Sequence, residues 1–547
     1  MALNNTVSIG NSLKKFYQIL RLDKRDISAV YAFAIMAGVV QLSLPLGIQT
    51  IISFVMAGSI STSIIVLILL VVFGTFLNGL LQVRQLEIIE KLKQKIFLRY
   101  GLEFSDRLPK LNNEKLDNYY LPELVNRFFD TISLQKGLEK LLLDLPAAII
   151  QILLGLMLLS FYHPVFIGFG IMLIFIILLI LYFTSPQGLA LAIQSSDYKY
   201  KVAGWLQETA RVVKSFKYSK SQFHIAKTDE FIGGHLDART RYFKILLIQF
   251  WSLISFKIIV TASMLIVGTI LLVNQQINVG QFIAADIVII TIIGSVEKLI
   301  ISLDTVYDAL VSIEKLGKIT EADTETGGNL LLENLQQGLS VEFINTSFTY
   351  PDGNKVLENI NFSIGAGQMI HIKGKSGTGK STLLRLLTGA YKNFDGNLLI
   401  DGHPIDNYEI QSVRNATGIL VNSQDIFTGS LLENITMGNA DIDGKQVNEY
   451  VEKIGLTAFI QSNKLGLYVL LDPVGKRLPR EVTKKILLLR AILGRHRLLL
   501  LEEPFEYLNT AATDMLLTWL KSLKHTTILI ASNDENLSQE CDAVLNL

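Results

Sequence analysis

The stretch Gly374-Lys375-Ser376-Gly377-Thr378-Gly379-Lys380-Ser381-Thr382 decides how the C-terminal part of the chain folds. It follows an apolar run, Met369–Ile372, that predicts a strand, and it leads into Leu383–Leu387, which predicts a helix. A strand, a glycine-rich loop and a helix in this order are the context of the G-x-x-x-x-G-K-[ST] phosphate loop. The glycines let backbone N–H groups surround phosphate oxygens at the positive end of the helix.

Two side chains of this loop add charge and oxygen chemistry to the backbone cradle. Lys380 supplies a cation that can reach the β- and γ-phosphates, and the Ser381 hydroxyl can bind Mg²⁺. A glycine-rich turn without a ligand is the alternative, and the flanking strand and helix disfavour it. We therefore predict that all nine residues of the stretch contribute to a nucleoside triphosphate site.

Composition indicates that much of the chain lies in a membrane. Of its 547 residues, 50% are hydrophobic and 18% are charged. Ile27–Val83 contains no Asp, Glu, Lys or Arg, and neither does the stretch between Asp144 and Asp197. A helix needs about 20 apolar residues to cross a bilayer, so these runs predict membrane spans. The net charge of +1 argues against nucleic-acid binding, and the single cysteine, Cys541, excludes a disulfide within the chain.

The loops between the predicted spans differ strongly in charge. Val55–Thr62, Tyr162–Pro164 and Asn274–Gly280 carry no formal charge, whereas Arg84–Lys140 and Ser185–Lys244 are rich in charged residues. By the positive-inside rule, the charged segments, the N-terminus and the C-terminal part lie in the cytoplasm. The six predicted spans are Ile27–Ser53, Ser63–Val83, Leu141–Phe161, Val165–Phe183, Ile248–Val273 and Gln281–Leu303.

These patterns predict an all-α transmembrane domain of six helices, followed by an α/β phosphate-loop domain. Gln82–Lys95 and Gly204–Lys217 have helical spacing, so we expect the membrane helices to continue into the cytoplasm. The predicted parts are a cytoplasmic N-terminal segment (1–26), the transmembrane domain (27–319), a polar linker (320–338) and the nucleotide-binding domain (339–547).

A few charged residues fall within the predicted spans. Asp144 lies at the cytoplasmic end of the third span, while Lys257, Glu297 and Lys298 lie at similar depth near the inner interface. A structural ion pair or snorkelling side chains are the favoured interpretation, and contact with cargo is the alternative. Asp286 lies in the outer half, where it either lines a polar cavity or is capped by neighbouring hydroxyls.

Six spans with long cytoplasmic helices and a phosphate-loop domain resemble one half of a type I ABC exporter. Ile277–Phe282 is similar to the family's entry into its sixth span, and Asp117–Asp130 and Glu208–Ser219 occupy the places of its two docking loops. The resemblance implies ATP and Mg²⁺ as cofactors and a second half-transporter as partner, in a homodimer or heterodimer. It also implies a multi-pass protein of the bacterial inner membrane, in contact with lipid and with a periplasmic adaptor protein as a further candidate partner.

The resemblance assigns roles to five residues outside the phosphate loop. Tyr350 matches the aromatic residue that stacks on adenine, although a core or turn tyrosine is the alternative. Gln424 matches the glutamine that reaches Mg²⁺ and the attacking water. Glu503 matches the catalytic base, and Glu502 stands where an aspartate holds Mg²⁺ through water. Asn533 replaces the family's switch histidine; its amide can donate a hydrogen bond but carries no positive charge.

The signature loop departs furthest from the family pattern. The sequence Leu478-Pro479-Arg480-Glu481-Val482 stands where Leu-Ser-Gly-Gly-Gln is expected. Pro479 removes a hydroxyl and an N–H, and Arg480 and Glu481 place side chains where glycine allows close approach. Glu481 also brings negative charge towards the phosphate, while Arg480 can partly compensate. This degenerate signature predicts weakened hydrolysis.

Two functions fit these observations. The first is an ATP-driven exporter in which Glu503 supports slow hydrolysis and motion of the Gln424 loop reshapes the membrane helices. The second is a non-hydrolysing, nucleotide-gated regulatory or structural subunit of a secretion or efflux complex. ATP binding is common to both, and turnover separates them. The apolar spans suit lipids, amphipathic drugs and a secreted peptide equally well.

Overall fold

The computed structural model describes residues 9–58, 62–112, 121–333, 336–422, 424–475 and 477–547. They form two compact units: the first contains the described residues of 1–111 and 118–323, and the second contains residue 112 and the described residues of 324–547. The described residues cover only part of four predicted segments, namely the N-terminal segment 1–26, the outer connection 55–62, the docking loop 117–130 and the linker 320–338.

Six helical stretches of the first unit are long and apolar enough to cross a membrane, which confirms the six predicted spans. They run over Lys14–Met56, Thr62–Lys110, Leu121–Tyr162, Val165–Arg211, Phe223–Val273 and Val279–Thr320. The individual helices are α1 (Ile9–Leu20), α2 (Lys24–Gln41), α3 (Ser43–Met56), α4 (Thr62–Arg107), α5 (Leu121–Asn126), α6 (Asp130–Glu139), α7 (Leu145–Tyr162), α8 (Val165–Arg211), α9 (Val213–Lys217), α10 (Phe223–Val273) and α11 (Val279–Thr320).

Several of these helices are much longer than a bilayer is thick. Helix α4 has 46 residues and α10 has 51, so at 1.5 Å per residue they extend for about 70–75 Å. Their apolar portions continue without a break into charged portions. The predicted helix Gln82–Lys95 is therefore confirmed, since it lies wholly within α4, and its cytoplasmic location stays a prediction.

Two segments predicted as continuous helices are interrupted. The first span, predicted as Ile27–Ser53, consists of α2 and α3, which meet at Leu42. Pro45 lies in the first turn of α3, where a backbone N–H is not needed for the helix. Because proline has no N–H to donate, the hydrogen-bond ladder of α2 cannot continue through this residue. The predicted helix Gly204–Lys217 breaks at Val212, whose φ of −103° and ψ of 25° lie outside the helical region and separate α8 from α9.

Charged residues of the first unit form local pairs. The Lys257 Nζ lies 2.7 Å from Glu297 Oε2, which confirms the structural ion pair favoured by their similar depth. The Lys140 Nζ donates to Asp144 Oδ2 at 2.6 Å across a π-helical turn, Lys140–Asp144, between α6 and α7. Asp286 is half-buried on α11, and its functional role stays a prediction.

The second unit is an α/β domain with two larger sheets. A parallel sheet has the strand order β11-β3-β10-β9-β6, and an antiparallel sheet has the order β2-β1-β4-β5. The strands are β1 (Val341–Thr349), β2 (Lys355–Ile364), β3 (Met369–Lys373), β4 (Phe394–Ile400), β5 (His403–Pro404), β6 (Thr417–Leu420), β7 (Gly429–Ser430), β8 (Leu470–Leu471), β9 (Leu498–Glu502), β10 (Thr527–Ser532) and β11 (Ala543–Asn546). The helices are α12 (Lys380–Leu386), α13 (Ile410–Asn415), α14 (Leu431–Thr436), α15 (Gly444–Lys453), α16 (Thr457–Gln461), α17 (Arg480–Ile492) and α18 (Thr510–Ser522).

The parallel sheet is buried on both faces. Along β9, Leu498 and Leu500 belong to one hydrophobic cluster, while Leu499 and Leu501 belong to another. Successive side chains of a strand point to opposite faces, so the four-leucine run fills two cores at once. This confirms the predicted buried parallel strand and explains why it contains no alternating polar residues.

A buried histidine lies in β3, immediately before the phosphate loop. His371 is fully buried, its Nε2 lies 3.2 Å from the Ser532 carbonyl, and its Nδ1 lies 2.8 Å from Ser538 Oγ. Because a carbonyl only accepts, Nε2 carries the proton and Nδ1 accepts from the Ser538 hydroxyl. Burial lowers the pKa of His371, so the ring is neutral in the folded domain.

This neutral ring makes the stability of the nucleotide-binding domain depend on pH. In the unfolded chain the histidine titrates near its ordinary pKa of about 6.5, so below that pH the unfolded state binds a proton that the folded state does not. We expect the domain to lose up to about 1.4 kcal/mol of stability per pH unit as the pH falls from about 6.5 towards the lowered folded pKa. Calorimetry of the full-length protein in lipid nanodiscs at pH 7.5 and 5.5 measures the change.

His371→Gln should show a smaller difference between the two pH values, whereas replacement of the exposed His403 by Gln should leave it unchanged. Equal pH sensitivity in wild type and His371→Gln would show that another group is responsible.

Candidate functional site

Backbone geometry shapes the phosphate loop. Gly377 and Gly379 have φ values of +88° and +98°, in the left-handed region that favours glycine. A Cβ at Gly379 would also lie 2.7 Å from Leu357 Cδ2 and 2.9 Å from Val356 Cγ1. Helix α12 begins directly at Lys380, so the free N–H groups of its first turn face the loop. The predicted strand, loop and helix are thus confirmed as consecutive elements.

Lys380 is largely buried, and its ammonium group donates hydrogen bonds to the backbone of the phosphate loop. Its Nζ donates to the carbonyl of Gly374, to the carbonyl of Lys375 at 3.1 Å and to Asn533 Oδ1 at 2.8 Å. The structure therefore brings two sequence-predicted site residues, Lys380 and Asn533, into direct contact. Phosphate oxygens can replace these three oxygens as hydrogen-bond acceptors of the Lys380 ammonium.

Ser381 meets Glu502 at the carboxyl end of β9. The Ser381 hydroxyl donates to Glu502 Oε1 at 2.5 Å, and Glu502 is 8% exposed. Asn422 also holds this carboxylate: its Nδ2 donates to Oε1 at 2.9 Å and its backbone N–H donates to Oε2 at 2.9 Å. A hydroxyl and a carboxylate side by side are the oxygen ligands that Mg²⁺ prefers, so Ser381 and Glu502 fit this metal.

A lysine supports this arrangement from behind. Lys484, on α17, is 8% exposed; its Nζ donates to Asn422 Oδ1 at 2.9 Å and to the backbone carbonyl of Glu502 at 3.1 Å. Its Nζ also lies 3.6 Å from Glu506 Oε2. Lys484 thus fixes both the residue that holds the Glu502 carboxylate and the strand end that carries it.

Glu503 follows β9 in an unusual backbone conformation. Its φ is +46°, a region that costs a residue with a side chain on the order of 1–3 kcal/mol. The carboxylate accepts from Ser532 Oγ at 2.7 Å and from the Asn533 N–H at 2.9 Å. The backbone N–H of Glu503 donates to the Ala531 carbonyl at 2.8 Å. The end of β10 therefore holds the predicted catalytic base in place.

Gln424 and Tyr350, two other predicted residues, make different contacts in this structure. The Gln424 Nε2 donates to the carbonyl of Ile419, in the preceding strand β6, at 3.2 Å, while Asn422 contacts Glu502. The Tyr350 ring packs edge-on against Phe348, with ring centroids 4.9 Å apart, and its hydroxyl lies 3.0 Å from Thr382 Oγ1. Tyr350 thus lies beside the phosphate loop; its stacking on adenine and the metal contact of Gln424 stay predictions.

The degenerate signature forms the start of α17. Pro479 precedes the helix with φ −57° and ψ 144°, and no side chain caps the helix. Arg480 is exposed, and the exposed Glu481 pairs with Lys485 one turn later, with Lys485 Nζ 2.6 Å from its Oε1. Leu478 and Val482 are half-buried against the neighbouring hydrophobic cluster. The segment thus has a local structural role, which leaves its part in ATP binding a prediction.

Sequence reasoning missed Asn422 and Lys484. Asn422 lies two residues before Gln424, and the family motif assigns a role to the glutamine alone. No spacing in the sequence indicates that the asparagine contacts Glu502. Lys484 follows the signature by two residues and looks like an ordinary helical lysine. Its position within an otherwise apolar helix face, before Ile486–Leu489, is the signal that could have indicated burial.

Fold and site together define a membrane protein with a fused phosphate-loop domain, the class of the ABC transporters. The family model described as the ABC transporter transmembrane region matches residues 27–296, and the model described as ABC transporter matches residues 357–506. The chain therefore belongs to the ABC transporter family, as a half-transporter with one six-helix transmembrane domain and one nucleotide-binding domain.

Individual relatives agree with this assignment. The chain is 28% identical over 337 residues to the alpha-hemolysin translocation ATP-binding protein HlyB of Escherichia coli O157:H7, covering 60% of this chain and 47% of that protein. It is 28% identical to the mitochondrial iron-sulfur clusters transporter ATM1 of Debaryomyces hansenii, over 48% of this chain and 37% of that protein. The chain thus spans about half or less of the length of these curated relatives.

A solved structure shows the same fold. The structure of a bacterial Atm1-family ABC exporter with ATP bound superposes with a TM-score of 0.86 at 18% identity, covering 96% of this chain and 93% of that chain. At this identity the likeness concerns the fold, and it extends over both units.

Replacement of Lys484 tests whether this residue holds Asn422 and Glu502 in position. Replacing Lys484 by Met leaves the Asn422 side-chain oxygen and the Glu502 carbonyl without their donor, which should cost about 1–3 kcal/mol and loosen the carboxylate of Glu502. We expect a lower melting temperature of the nucleotide-binding domain and a lower affinity for Mg²⁺–ATP.

Lys355→Met is the matched control, because Lys355 is exposed. Among the described residues its ammonium pairs only with the carboxylate of Glu358, which is also exposed, at 2.7 Å. If both variants melt and bind alike, Lys484 does not organise the site.

Proposed function

We propose that the chain is one half of an ATP-driven exporter that binds ATP firmly and hydrolyses it slowly. The observation that carries this proposal is the convergence of Lys380, Ser381, Glu502 and Glu503 at the end of one parallel sheet. These residues supply a cation for phosphate oxygens, two oxygens for Mg²⁺ and a base for water. When bound, Mg²⁺ would neutralise phosphate charge; the remaining work belongs to the protein's own groups.

The proposed reaction is attack of water on the γ-phosphorus: a new P–O bond forms, the bond to the oxygen that bridges the β- and γ-phosphates breaks, and ADP leaves with that oxygen. Glu503 accepts a proton from that water, and the Lys380 ammonium and the N–H groups of the loop stabilise the negative charge on the phosphate oxygens. Asn533 contacts both Lys380 and Glu503, so it is placed to orient the two groups. It does so without the positive charge of a histidine, which supports a low rate.

The signature segment supports slow turnover as well. In an ATP-bound dimer of half-transporters, this segment faces the partner's γ-phosphate. Pro479 offers that phosphate neither a hydroxyl nor an N–H, and the Glu481 carboxylate repels it. We propose that the partner is a second half-transporter, and that ATP-driven closure of the pair switches the membrane helices between two conformations.

The membrane and its sidedness belong to the same proposal. The loop charges support a cytoplasmic nucleotide-binding domain, and the bacterial origin of HlyB and of the structural neighbour supports an inner membrane. Cargo leaves the cytoplasm in this arrangement.

A non-hydrolysing, nucleotide-gated subunit is the second candidate. The Glu502 carboxylate favours it, because Asn422 already engages both of its oxygens and Glu502 is one methylene longer than aspartate. A shift of about 1 Å in a catalytic group can reduce a rate on the order of a hundredfold.

Glu503→Gln separates the two candidates. For an exporter, loss of the base should reduce phosphate release by about 10²–10⁴-fold while ATP binding is retained. The measurement is steady-state phosphate release by the full-length protein in lipid nanodiscs, with labelled ATP binding on the same sample. Wild type that binds ATP but releases no phosphate above the Glu503→Gln background would identify the gated subunit.

Lys380→Ala tests whether ATP binds at all. Losing a charge-assisted contact of about 1.5–3 kcal/mol should weaken ATP binding by about 10–150-fold. Lys375→Ala is the control from the same loop: the side chain of Lys375 is exposed, and its contact with Lys380 uses the backbone carbonyl. Equal ATP retention by wild type and Lys380→Ala would refute the nucleotide site.

Restoring the signature tests the cause of slow turnover. Combining Pro479→Ser, Arg480→Gly and Glu481→Gly returns a hydroxyl and close backbone approach, and it removes the repelling carboxylate. If one recovered charge-assisted contact stabilises the transition state by about 1.5–3 kcal/mol, hydrolysis should rise by about 10–150-fold. An unchanged rate would place the limitation elsewhere, at Glu502 or Asn533.

A further inference from the structure

A cavity of about 590 Å³ lies in the nucleotide-binding domain, at the amino ends of β9 and β10. Its lining includes Arg497, directly before β9, and Thr526, directly before β10. The nucleotide site lies at the other edge of the same sheet, because Glu503 and Asn533 follow the carboxyl ends of these strands. A strand of five residues is about 16 Å long, so the two places are well separated. Cavities of roughly 300–1,000 Å³ hold small organic ligands, and we call this one the amino-edge cavity.

Two aromatic side chains form an apolar wall of the amino-edge cavity. Tyr450 on α15 and Trp519 on α18 both line it, with ring centroids 5.2 Å apart and ring planes at 89° to each other. Both side chains are half-buried and pack against the hydrophobic cluster on one face of β9. The cluster therefore holds the two rings in place, and they offer a preformed surface to a ligand that carries a flat ring.

Part of the basic lining belongs to the fold itself. Arg497 is buried; its Nη2 donates to Asp401 Oδ2 at 2.8 Å and its Nε donates to the Gln337 carbonyl at 2.7 Å. The Nε2 of His496 lies 2.8 Å from the Leu493 carbonyl, and partial burial lowers the pKa of this histidine, so its ring is neutral at neutral pH. These two residues therefore have a structural explanation.

Arg495 differs, because the fold makes no use of its charge. Its side chain is exposed and lines the cavity, and its guanidinium has neither an ion pair nor a hydrogen bond within the described part of the chain. His525, which is also exposed, lines the same cavity. Among the described residues of the lining there is no Asp or Glu, so no lining carboxylate balances the charge of Arg495. A guanidinium binds carboxylate and phosphate groups through paired N–H donors, so the cavity favours an anion.

We propose that the amino-edge cavity is a second ligand site, and that its ligand is a small anion with an aromatic ring, such as an aryl phosphate. Arg495 donates to the anionic oxygens, and the ring packs against Tyr450 and Trp519. Because the cation and the aromatic wall line one cavity of ligand size, a single molecule can contact both. The chemistry is binding alone, without any covalent step. The inference goes beyond the proposed exporter function and does not depend on it.

The fluorescence of Trp519 provides the test. The chain has three tryptophans, so Trp205→Phe and Trp251→Phe together leave Trp519 as the only one. The full-length protein with these two changes is titrated with 4-nitrophenyl phosphate in dodecyl maltoside micelles, without nucleotide. The nitrophenyl ring quenches tryptophan, and free tryptophan in the same micelles corrects for absorption by the probe. We expect quenching that saturates, which gives a dissociation constant for the probe.

Arg495→Met, made in the same background, tests the contact with the anion. Loss of a charge-assisted contact should weaken binding of the probe by about 10–150-fold, whereas Arg495→Lys, which keeps the charge, should lose less. Lys445→Met is the matched control and should bind the probe as the background does. Lys445 is exposed and lies on α15 with Tyr450, but it is not part of the cavity lining. Arg495 is exposed, so Arg495→Met should keep the melting temperature of the background, which shows that it folds.

Lys380→Ala separates the amino-edge cavity from the nucleotide site. This change lies at the other edge of the sheet, so it should leave the quenching of Trp519 unchanged while it weakens ATP binding. Loss of the quenching in Lys380→Ala would place the probe in the phosphate loop and overturn the proposal.

Four further results would overturn it. They are quenching that does not saturate, equal binding by Arg495→Met and the background, equal affinity for the neutral 4-nitrobenzyl alcohol, and displacement of the probe by an equal concentration of inorganic phosphate. The third would show an apolar cavity without anion recognition, and the fourth would show that the aromatic wall is not used. Because the assay contains no ATP, its failure leaves the exporter function standing, and absence of ATP hydrolysis leaves the amino-edge site standing.

Discussion

The parallel register of β3, β10 and β9 is the constraint on which the nucleotide site depends. Lys373 pairs with Ser532, and Ala531 pairs with Glu502, so the carboxyl ends of the three strands lie at one edge of the sheet. The phosphate loop follows β3, Asn533 follows β10, and Glu503 follows β9. None of these residues is near the others in sequence. Burial of the leucine run of β9 between two cores fixes the register, because a shift of one residue would exchange its two faces.

Residues whose role depends on local pattern could be predicted from the sequence. The phosphate loop, the strand before it and the run Leu498–Leu501 carry strong periodicity or glycine spacing, and each is present as predicted. The absence of charge over Ile27–Val83 likewise predicts spans without knowledge of tertiary structure. Residues whose role depends on distant partners could not be predicted. Lys484 becomes part of the site only because α17 packs against the end of β9, and the direction of the Gln424 amide depends on the carbonyl of Ile419 in β6.

The membrane unit uses two different solutions for polar groups in an apolar setting. Lys257 and Glu297 neutralise each other at 2.7 Å, and Gln41, Gln151 and Ser295 form a hydrogen-bonded chain. Such pairing serves packing and needs no ligand. Gln85 differs, because its Nε2 has no hydrogen-bond partner within the described part of the chain although its side chain is almost wholly buried.

In the proposed function, the departures from the family pattern affect turnover rather than ATP binding. The eight residues Gly374–Ser381 match the phosphate-loop motif without exception, and Asn533 and Glu502 hold the side chains of Lys380 and Ser381 in position. The family resemblance assigns the altered positions Glu502, Asn533 and Pro479 instead to the groups that position the metal, the water and the partner's phosphate. Asn422 and Lys484 hold the longer Glu502 side chain against Ser381, so the substitution is accommodated by local contacts and does not open the site. A chain that had lost its nucleotide function altogether would have no physical reason to keep Glu503 in a left-handed backbone conformation that costs on the order of 1–3 kcal/mol.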